Sequence, residues 1–265
     1  MKLGIGIGLT AVRRRGGAQI IFDPATLFAS GEQGAWYDPS DLSTMFTNTA
    51  GTTLAAVDDP VARINDKSGR GNHATQGTVA KRPILRQTAG GLYYLEFDGV
   101  DDEIQPPLDV QGAVDSDNTV CAAIRPISGS NFPAFMSSTT GTTRFGIQIT
   151  FAGTSETPIF NVRAIEGNVP VQAASSFTDS DLILSGNWVR STGTTTAWFN
   201  RTDTGTDTAT EPSDKNYGSL YRIGSSGSNF YAGRMYGLLM VDRVLSQSDR
   251  EGLEDYFAAK SGVTL

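Results

Sequence analysis

Short segments of apolar or alternating residues recur along the chain, separated by loops rich in Ser, Gly and Thr. Alternation with a period of two indicates strands with one face toward a core. Short strands at regular spacing, with turn residues between them, are typical of a sandwich or a barrel. The pattern therefore predicts an all-β fold built from antiparallel sheets. The predicted strands are 35–37, 92–97, 119–126, 145–151, 159–165, 182–189, 195–200, 221–224 and 234–242.

The last part of the sequence has a different pattern, in which a helix follows a strand. Residues 235–241 are apolar on both faces, so this strand must be covered on both sides. Ser246 is a good N-cap, and the apolar side chains Leu253 and Phe257 recur at helical spacing. Gly262 favours the end of a helix. We therefore predict one C-terminal helix of about three turns that packs outside this strand.

The first residues alternate apolar side chains with glycines, a pattern typical of a weak strand with side chains on one face only. Such a strand gains stability when it adds to another sheet. The arginine run that follows suits contact with an acidic neighbour. We therefore predict that residues 1–30 form an arm that mediates assembly, the alternative being a frayed terminus. The residues assigned to assembly are Leu3, Ile5, Ile7, Leu9, Arg13, Arg14 and Arg15.

Composition and charge argue against several classes of function. The 265 residues include 30 glycines, and the net charge is −7 with a pI of about 4.7. Nucleic-acid binding needs a basic face, so nucleic acid is not an expected partner. No apolar run is long enough to span a bilayer, and residues 1–12 lack a signal-peptide cleavage site, so neither membrane insertion nor secretion is expected. The only cysteine, Cys121, lies in an apolar run, which predicts a buried thiol without a disulfide.

Several blocks of the sequence resemble one family. They are 36–43, 66–74, 97–102, 230–237 and 242–246, followed by the predicted helix. Their order and spacing resemble the laminin G-like, concanavalin A-like modules of bacteriophage and prophage structural proteins. The resemblance implies a jelly-roll β-sandwich over residues 31–265. One residue departs from the family: many relatives have glycine after Asn200, where this chain has Arg201, so we expect an altered hairpin there.

The function that this resemblance implies is structural. It implies a non-enzymatic virion protein of a tail, a fibre or a capsid surface, made in the host cytoplasm. Its implied partners are sister subunits, in a homo-oligomer, and other virion proteins. The alternative is a carbohydrate-binding module or adhesin that recognises a cell-surface glycan, because lectins share the fold. Aromatic side chains on loops would then stack on sugars, although aromatics also dominate sandwich cores. The aromatic candidates are Trp36, Tyr37, Trp198 and Tyr217.

Patterns for catalysis and metal binding are weak. His73 is the only histidine and lies in a loop rich in Gly and Asn, so we expect it to make a loop hydrogen bond. No glutamate falls in the Glu-x-Asp-x-x-Glu pattern of glucanases with this fold, and we predict no enzymatic activity. Asp98, Asp101 and Asp102 would suit calcium, although Asp and Gly are also the residues that a tight turn selects. No other cofactor is expected.

Overall fold

The computed structural model describes residues 22–107, 117–127, 134–138, 146–152, 157–164, 167–172, 179–189, 191–208, 221–225 and 229–265. Within these residues the chain folds into antiparallel sheets with one C-terminal helix, which confirms the predicted fold class. Some of the predicted functional residues lie outside the described part of the chain. These are Leu3, Ile5, Ile7, Leu9, Arg13, Arg14, Arg15 and Tyr217.

The secondary structure of the described residues consists of short strands, three 3-10 helices and one α-helix. The strands are β1 (Gly34–Tyr37), β2 (Met45–Phe46), β3 (Arg63–Ile64), β4 (Ala74–Thr75), β5 (Ile84–Gln87), β6 (Tyr93–Asp98), β7 (Asn118–Pro126), β8 (Ala134–Ser138), β9 (Gly146–Ala152), β10 (Thr157–Ala164), β11 (Gly167–Gln172), β12 (Leu182–Val189), β13 (Thr194–Phe199), β14 (Asp203–Thr208), β15 (Tyr221–Ile223) and β16 (Ala232–Val241). The helices are Pro24–Phe28, Leu42–Thr44, Val79–Lys81 and α1 (Gln247–Ser261), of which only α1 is α-helical.

The strands form two large sheets and one small sheet. The larger sheet has the order β14-β13-β12-β7-β16-β6-β5, and β1 pairs with the end of β16 that β6 leaves open. The second sheet has the order β11-β10-β9-β8-β15, and β2, β3 and β4 form the small one. Every pairing between these strands is antiparallel. Alternate side chains of the larger sheet form the main buried core.

Several strands lie where the sequence predicts them, and others are additional. The predicted strand 182–189 has the bounds of β12, and the prediction 119–126 differs from β7 by one residue. β14 is an addition, because the sequence predicts no strand between 200 and 221. Its Asp, Thr and Gly residues carry no apolar pattern, and β13 holds it through a full register of backbone pairs.

The strand β16 is covered on both faces, as its apolar sequence predicts. Its register with β7 shifts between Met235 and Gly237, and this bulge moves Gly237 to the helix side of the sheet. A Cβ at Gly237 would overlap the ring of Phe257, so the absence of a side chain lets α1 pack closely. Ser246 caps the helix by accepting the backbone N–H of Asp249, and Gly262 ends it in a left-handed conformation. The predicted helix and both of its caps are confirmed, and with 15 residues the helix has about four turns instead of the three expected.

A second apolar cluster lies between α1 and the larger sheet, and residues near the N-terminus belong to it. Leu27 and Phe28 are buried there, and a Cβ at Gly252 would overlap the ring of Phe22. The side chain of Asp23 caps the 3-10 helix Pro24–Phe28. The expected arm of residues 1–30 is therefore too long, because Phe22, Leu27 and Phe28 within it pack against the sandwich.

Candidate functional site

The largest polar cluster of the described residues joins β1 to the loop after β3. The carboxylate of Asp66, which is nearly buried, accepts the backbone N–H of Trp36 at 2.9 Å, that of Ser68 at 2.8 Å and that of Asn72 at 3.0 Å. The Ser68 hydroxyl also donates to it at 2.7 Å. The amide of Asn72 donates to the carbonyl of Gly34 at 2.6 Å. One buried carboxylate thus fixes the turn-forming loop against the first strand.

A second buried carboxylate connects this joint to the C-terminal helix. Asp38 is 1% exposed and accepts the Tyr256 hydroxyl at 2.6 Å and the Lys67 ammonium at 3.1 Å. Burial alone would raise the pKa of Asp38, but hydrogen bonds from Ser40 and Tyr256 and the charge of Lys67 outweigh it and lower that pKa. Burial and the bond to Asp38 raise the pKa of Tyr256. The blocks that carry the family resemblance therefore meet in space, with their polar groups bonded to one another.

Two further blocks meet on the neighbouring strands. Ala232 of β16 pairs with Asp98 of β6, and the rings of Phe97 and Tyr231 stand edge to face with centroids 6.0 Å apart. Gly224 lies so close to Phe97 that a Cβ would overlap its ring. The residues of these motifs therefore pack against one another where neighbouring strands meet.

The single histidine belongs to the Asp66 loop. Its Nδ1 accepts the backbone N–H of Asp66 at 3.0 Å. Burial and the nearby charge of Arg63 lower the pKa of His73, so the ring is neutral at pH 7, as an acceptor must be. The predicted loop hydrogen bond is confirmed.

The aromatic candidates for sugar stacking have different surroundings. Trp36 is 5% exposed, with Lys67 over its ring at 4.5 Å, and Tyr37 is fully buried. These two rings belong to the core, which corrects the expectation that they stack on a sugar at the surface. Trp198 is part-buried, and the guanidinium of Arg250 lies 4.3 Å from its ring centroid, so one face of that ring is occupied.

The acidic turn after β6 brings the three predicted calcium ligands together. One carboxylate oxygen of each of Asp98, Asp101 and Asp102 lies within 4.8 Å of the others. The Oδ1 atom of Asp98 also accepts the backbone N–H of Val100 at 2.8 Å and that of Asp101 at 3.2 Å. Burial, followed by the charges of neighbouring carboxylates, raises the pKa of Asp102 to about 7. The turn would suit a cation. The Asp98 carboxylate also accepts backbone N–H groups within the turn.

An ionic cluster under α1 has no counterpart in the sequence motifs. Glu254 is fully buried and accepts the hydroxyl of Ser185, the guanidinium of Arg250 and, at 2.8 Å, that of Arg201. Arg201 also donates to the carbonyl of Glu251 at 2.6 Å. The pairing joins β12, the β13–β14 hairpin and α1, which are far apart in sequence. The only sequence signal was the arginine in place of a family glycine.

Comparisons with known proteins show the fold class. No protein-family model matches the chain, and no curated protein matches it by sequence. The binding domain of botulinum neurotoxin DC in complex with SialylT aligns with a TM-score of 0.55 at 13% identity, over 83% of this chain and 52% of that one. Trypanosoma rangeli sialidase in complex with 2,3-difluorosialic acid aligns with a TM-score of 0.56 at 11% identity, over 75% of this chain and 31% of that one.

Another solved structure, described as a receptor binding domain, aligns with a TM-score of 0.55 at 13% identity, over 87% of this chain and 53% of that one. The chain thus spans about half the length of the neurotoxin domain and the receptor binding domain, and less of the sialidase. At such low identity the likeness establishes only a shared fold, an antiparallel β-sandwich.

Proposed function

We propose that the chain is a non-enzymatic binding module, a lectin-like β-sandwich that a bacteriophage particle carries in its tail, a fibre or its capsid surface. The observation that carries this proposal is the joint in which Asp66 and Asp38 bond β1, the loop after β3 and Tyr256 of α1. The motifs that resemble phage laminin G-like modules thus act together as one frame. Such a frame holds loops in position for a partner.

The use of the acidic residues supports a role in binding over one in catalysis. Each glutamate whose side chain is described lies in an ion pair with an arginine: Glu32, Glu96, Glu103, Glu251 and Glu254. A glycosidase needs two carboxylates that flank a sugar bond and remain available to it. These glutamates instead stabilise the fold. His73 is likewise committed to its loop as a hydrogen-bond acceptor.

The proposed partners are sister subunits and other virion proteins, and the proposed location is the virion, after synthesis in the host cytoplasm. Mass spectrometry of purified particles tests this directly. The protein should be present at a fixed copy number per particle, and it should remain bound after washes that remove host proteins. Its absence from particles whose genome encodes it would contradict the proposal.

A second candidate is a module that recognises a cell-surface glycan, and the fold likeness favours it. Two of the aligned structures are described in complex with a sialyl compound or a sialic-acid derivative, although on much longer chains. A glycan array probed with the purified chain tests this candidate. Selective binding to one class of glycan would support it, and a blank array together with presence in particles would favour a purely structural role.

A further inference from the structure

The outer face of the larger sheet carries two arginines side by side, next to α1. Arg234 of β16 lies directly opposite Arg125 of β7 in the strand register. Like charges in directly opposed positions destabilise a sheet, because their Cβ atoms are only about 5 Å apart. Such an arrangement calls for a compensating negative charge.

The protein supplies only part of that charge. Arg125 pairs with Asp181 at 3.5 Å. Glu96 lies opposite Arg234 in the register of β6, but its carboxylate bonds to Arg86 at 2.7 Å instead. Among the described residues, no carboxylate lies within 4.0 Å of the Arg234 guanidinium. Arg234 and Arg125 therefore share one directly paired carboxylate, that of Asp181, in a chain whose net charge is −7.

Aromatic packing holds Arg234 in a fixed position. Its guanidinium lies 4.6 Å from the ring centroid of Tyr94, which in turn packs against Tyr236 at 5.6 Å. Among the described residues, the Arg234 guanidinium makes one long side-chain hydrogen bond, 3.4 Å to the Tyr236 hydroxyl, and its Nε atom is buried without a partner. The residue is only part-buried, so some of it reaches the surface. A guanidinium that is oriented by stacking keeps its donors for an external acceptor.

We propose that Arg234 and Arg125 bind the carboxylate of an acidic sugar on this face. The fork of a guanidinium matches a carboxylate in a bidentate geometry, and Arg234 has no direct ion pair among the described residues. The assignment of the carboxylate to a sugar rests on the glycan-recognition candidate above. To that candidate the proposal adds a ligand class, acidic sugars, and a binding place, the outer face of the larger sheet.

Titration of the purified chain with defined probes tests the site. Sodium N-acetylneuraminate and sodium glucuronate should bind, as measured by calorimetry and by shifts of the Arg234 Nε–H signal in NMR spectra. Glucose and sodium phosphate should bind at least tenfold more weakly. Binding of the acidic sugars should weaken with salt, because it rests on charge. Equal binding of glucose and glucuronate, or no binding of either acidic sugar, would overturn the proposal.

Matched variants locate the binding. Arg234→Gln should reduce the affinity for N-acetylneuraminate at least tenfold, and Arg234→Lys should lose most of it because the fork is gone. Arg243→Gln is the control, since this arginine lies beyond the other end of β16 and is paired with Glu32 and Asp249, and the affinity of this variant should stay within about twofold of the wild type. An unchanged affinity in Arg234→Lys would place the site elsewhere. A glycan array that reports only neutral glycans would refute this inference and leave glycan recognition standing.

Discussion

Substitutions at Arg201 can measure backbone strain and ion-pair stabilisation separately, because this one residue carries both. Arg201 has a φ of +61° and follows Asn200 with a φ of +49°, so the hairpin between β13 and β14 places a long side chain in the left-handed region. That conformation costs a residue with a Cβ about 1–2 kcal/mol, and glycine adopts it freely. The guanidinium nevertheless reaches the buried Glu254 at 2.8 Å and Asp255 at 2.9 Å. We infer that the ion pair outweighs the strain.

Two substitutions measure these contributions separately. A hydrogen bond to a charged group contributes about 1.5–3 kcal/mol, and the 27% exposure of the Arg201 side chain places its bond toward the lower value. Arg201→Ala loses the bond and keeps the strain, so it should lower the free energy of unfolding by about 2 kcal/mol. Arg201→Gly loses the same bond but relieves the strain, so it should cost only about 1 kcal/mol.

Urea unfolding followed by tryptophan fluorescence and by circular dichroism gives both values. The control is Arg201→Ala in a Glu254→Gln background, where its effect should fall below about 1 kcal/mol because the partner charge is already gone. An Arg201→Gly variant as stable as the wild type would refute the inference that the ion pair outweighs the strain. Equal costs for the Ala and Gly variants would refute the strain.

Three other predictions follow from the packing, the acidic turn and the N-terminal segment. Leu253→Ala or Phe257→Ala should each cost about 2–5 kcal/mol in urea unfolding, because each leaves a cavity between α1 and β16, and values below 1 kcal/mol for both would contradict that docking. The folded-state pKa of Asp102, about 7, exceeds the ordinary 3.8, so stability should be lost as pH rises from about 4 through 7. Asp102→Asn should remove about 2 kcal/mol of this loss, allowing for partial solvation, and an unchanged pH profile would rule out Asp102 as its source. Deletion of residues 2–16 should leave the melting temperature nearly unchanged and abolish incorporation into particles, whereas normal assembly would mean that the segment is only a tail.

The elements that sequence predicts well are those whose signals are local. Helix α1 has its N-cap, its apolar stripe and its terminal glycine within 17 residues, from Ser246 to Gly262. The strand β16 is apolar on both faces, and this alone requires cover from both sides. The strand β14 has no such signal, because its Asp and Thr residues suit a loop equally well and only its pairing with β13 makes it a strand. The two-residue strands β2, β3 and β4 are too short to show a period.

The polar clusters depend on contacts between distant residues, which a single sequence does not reveal. Glu254 and Arg250 lie on a helix whose charged residues would ordinarily face water, yet both are buried. Their burial depends on Ser185 and Arg201, which come from other elements. The burial of Trp36 and Tyr37 also depends on distant residues. Their sequence neighbours are turn residues, and it is the sheet and α1 that enclose the two rings.

The pairing of β16 determines the order in which the sandwich can form during synthesis. This strand is the last of the chain, yet β1, β6 and β7 all pair with it, and Gly34 meets Val241 across more than 200 residues of sequence. While the ribosome is still translating, these three partners have no common neighbour and expose apolar edges. The larger sheet therefore closes only after residues 232–241 leave the exit tunnel. Non-local closure of this kind is slow, and strand edges that stay unpaired for longer favour aggregation.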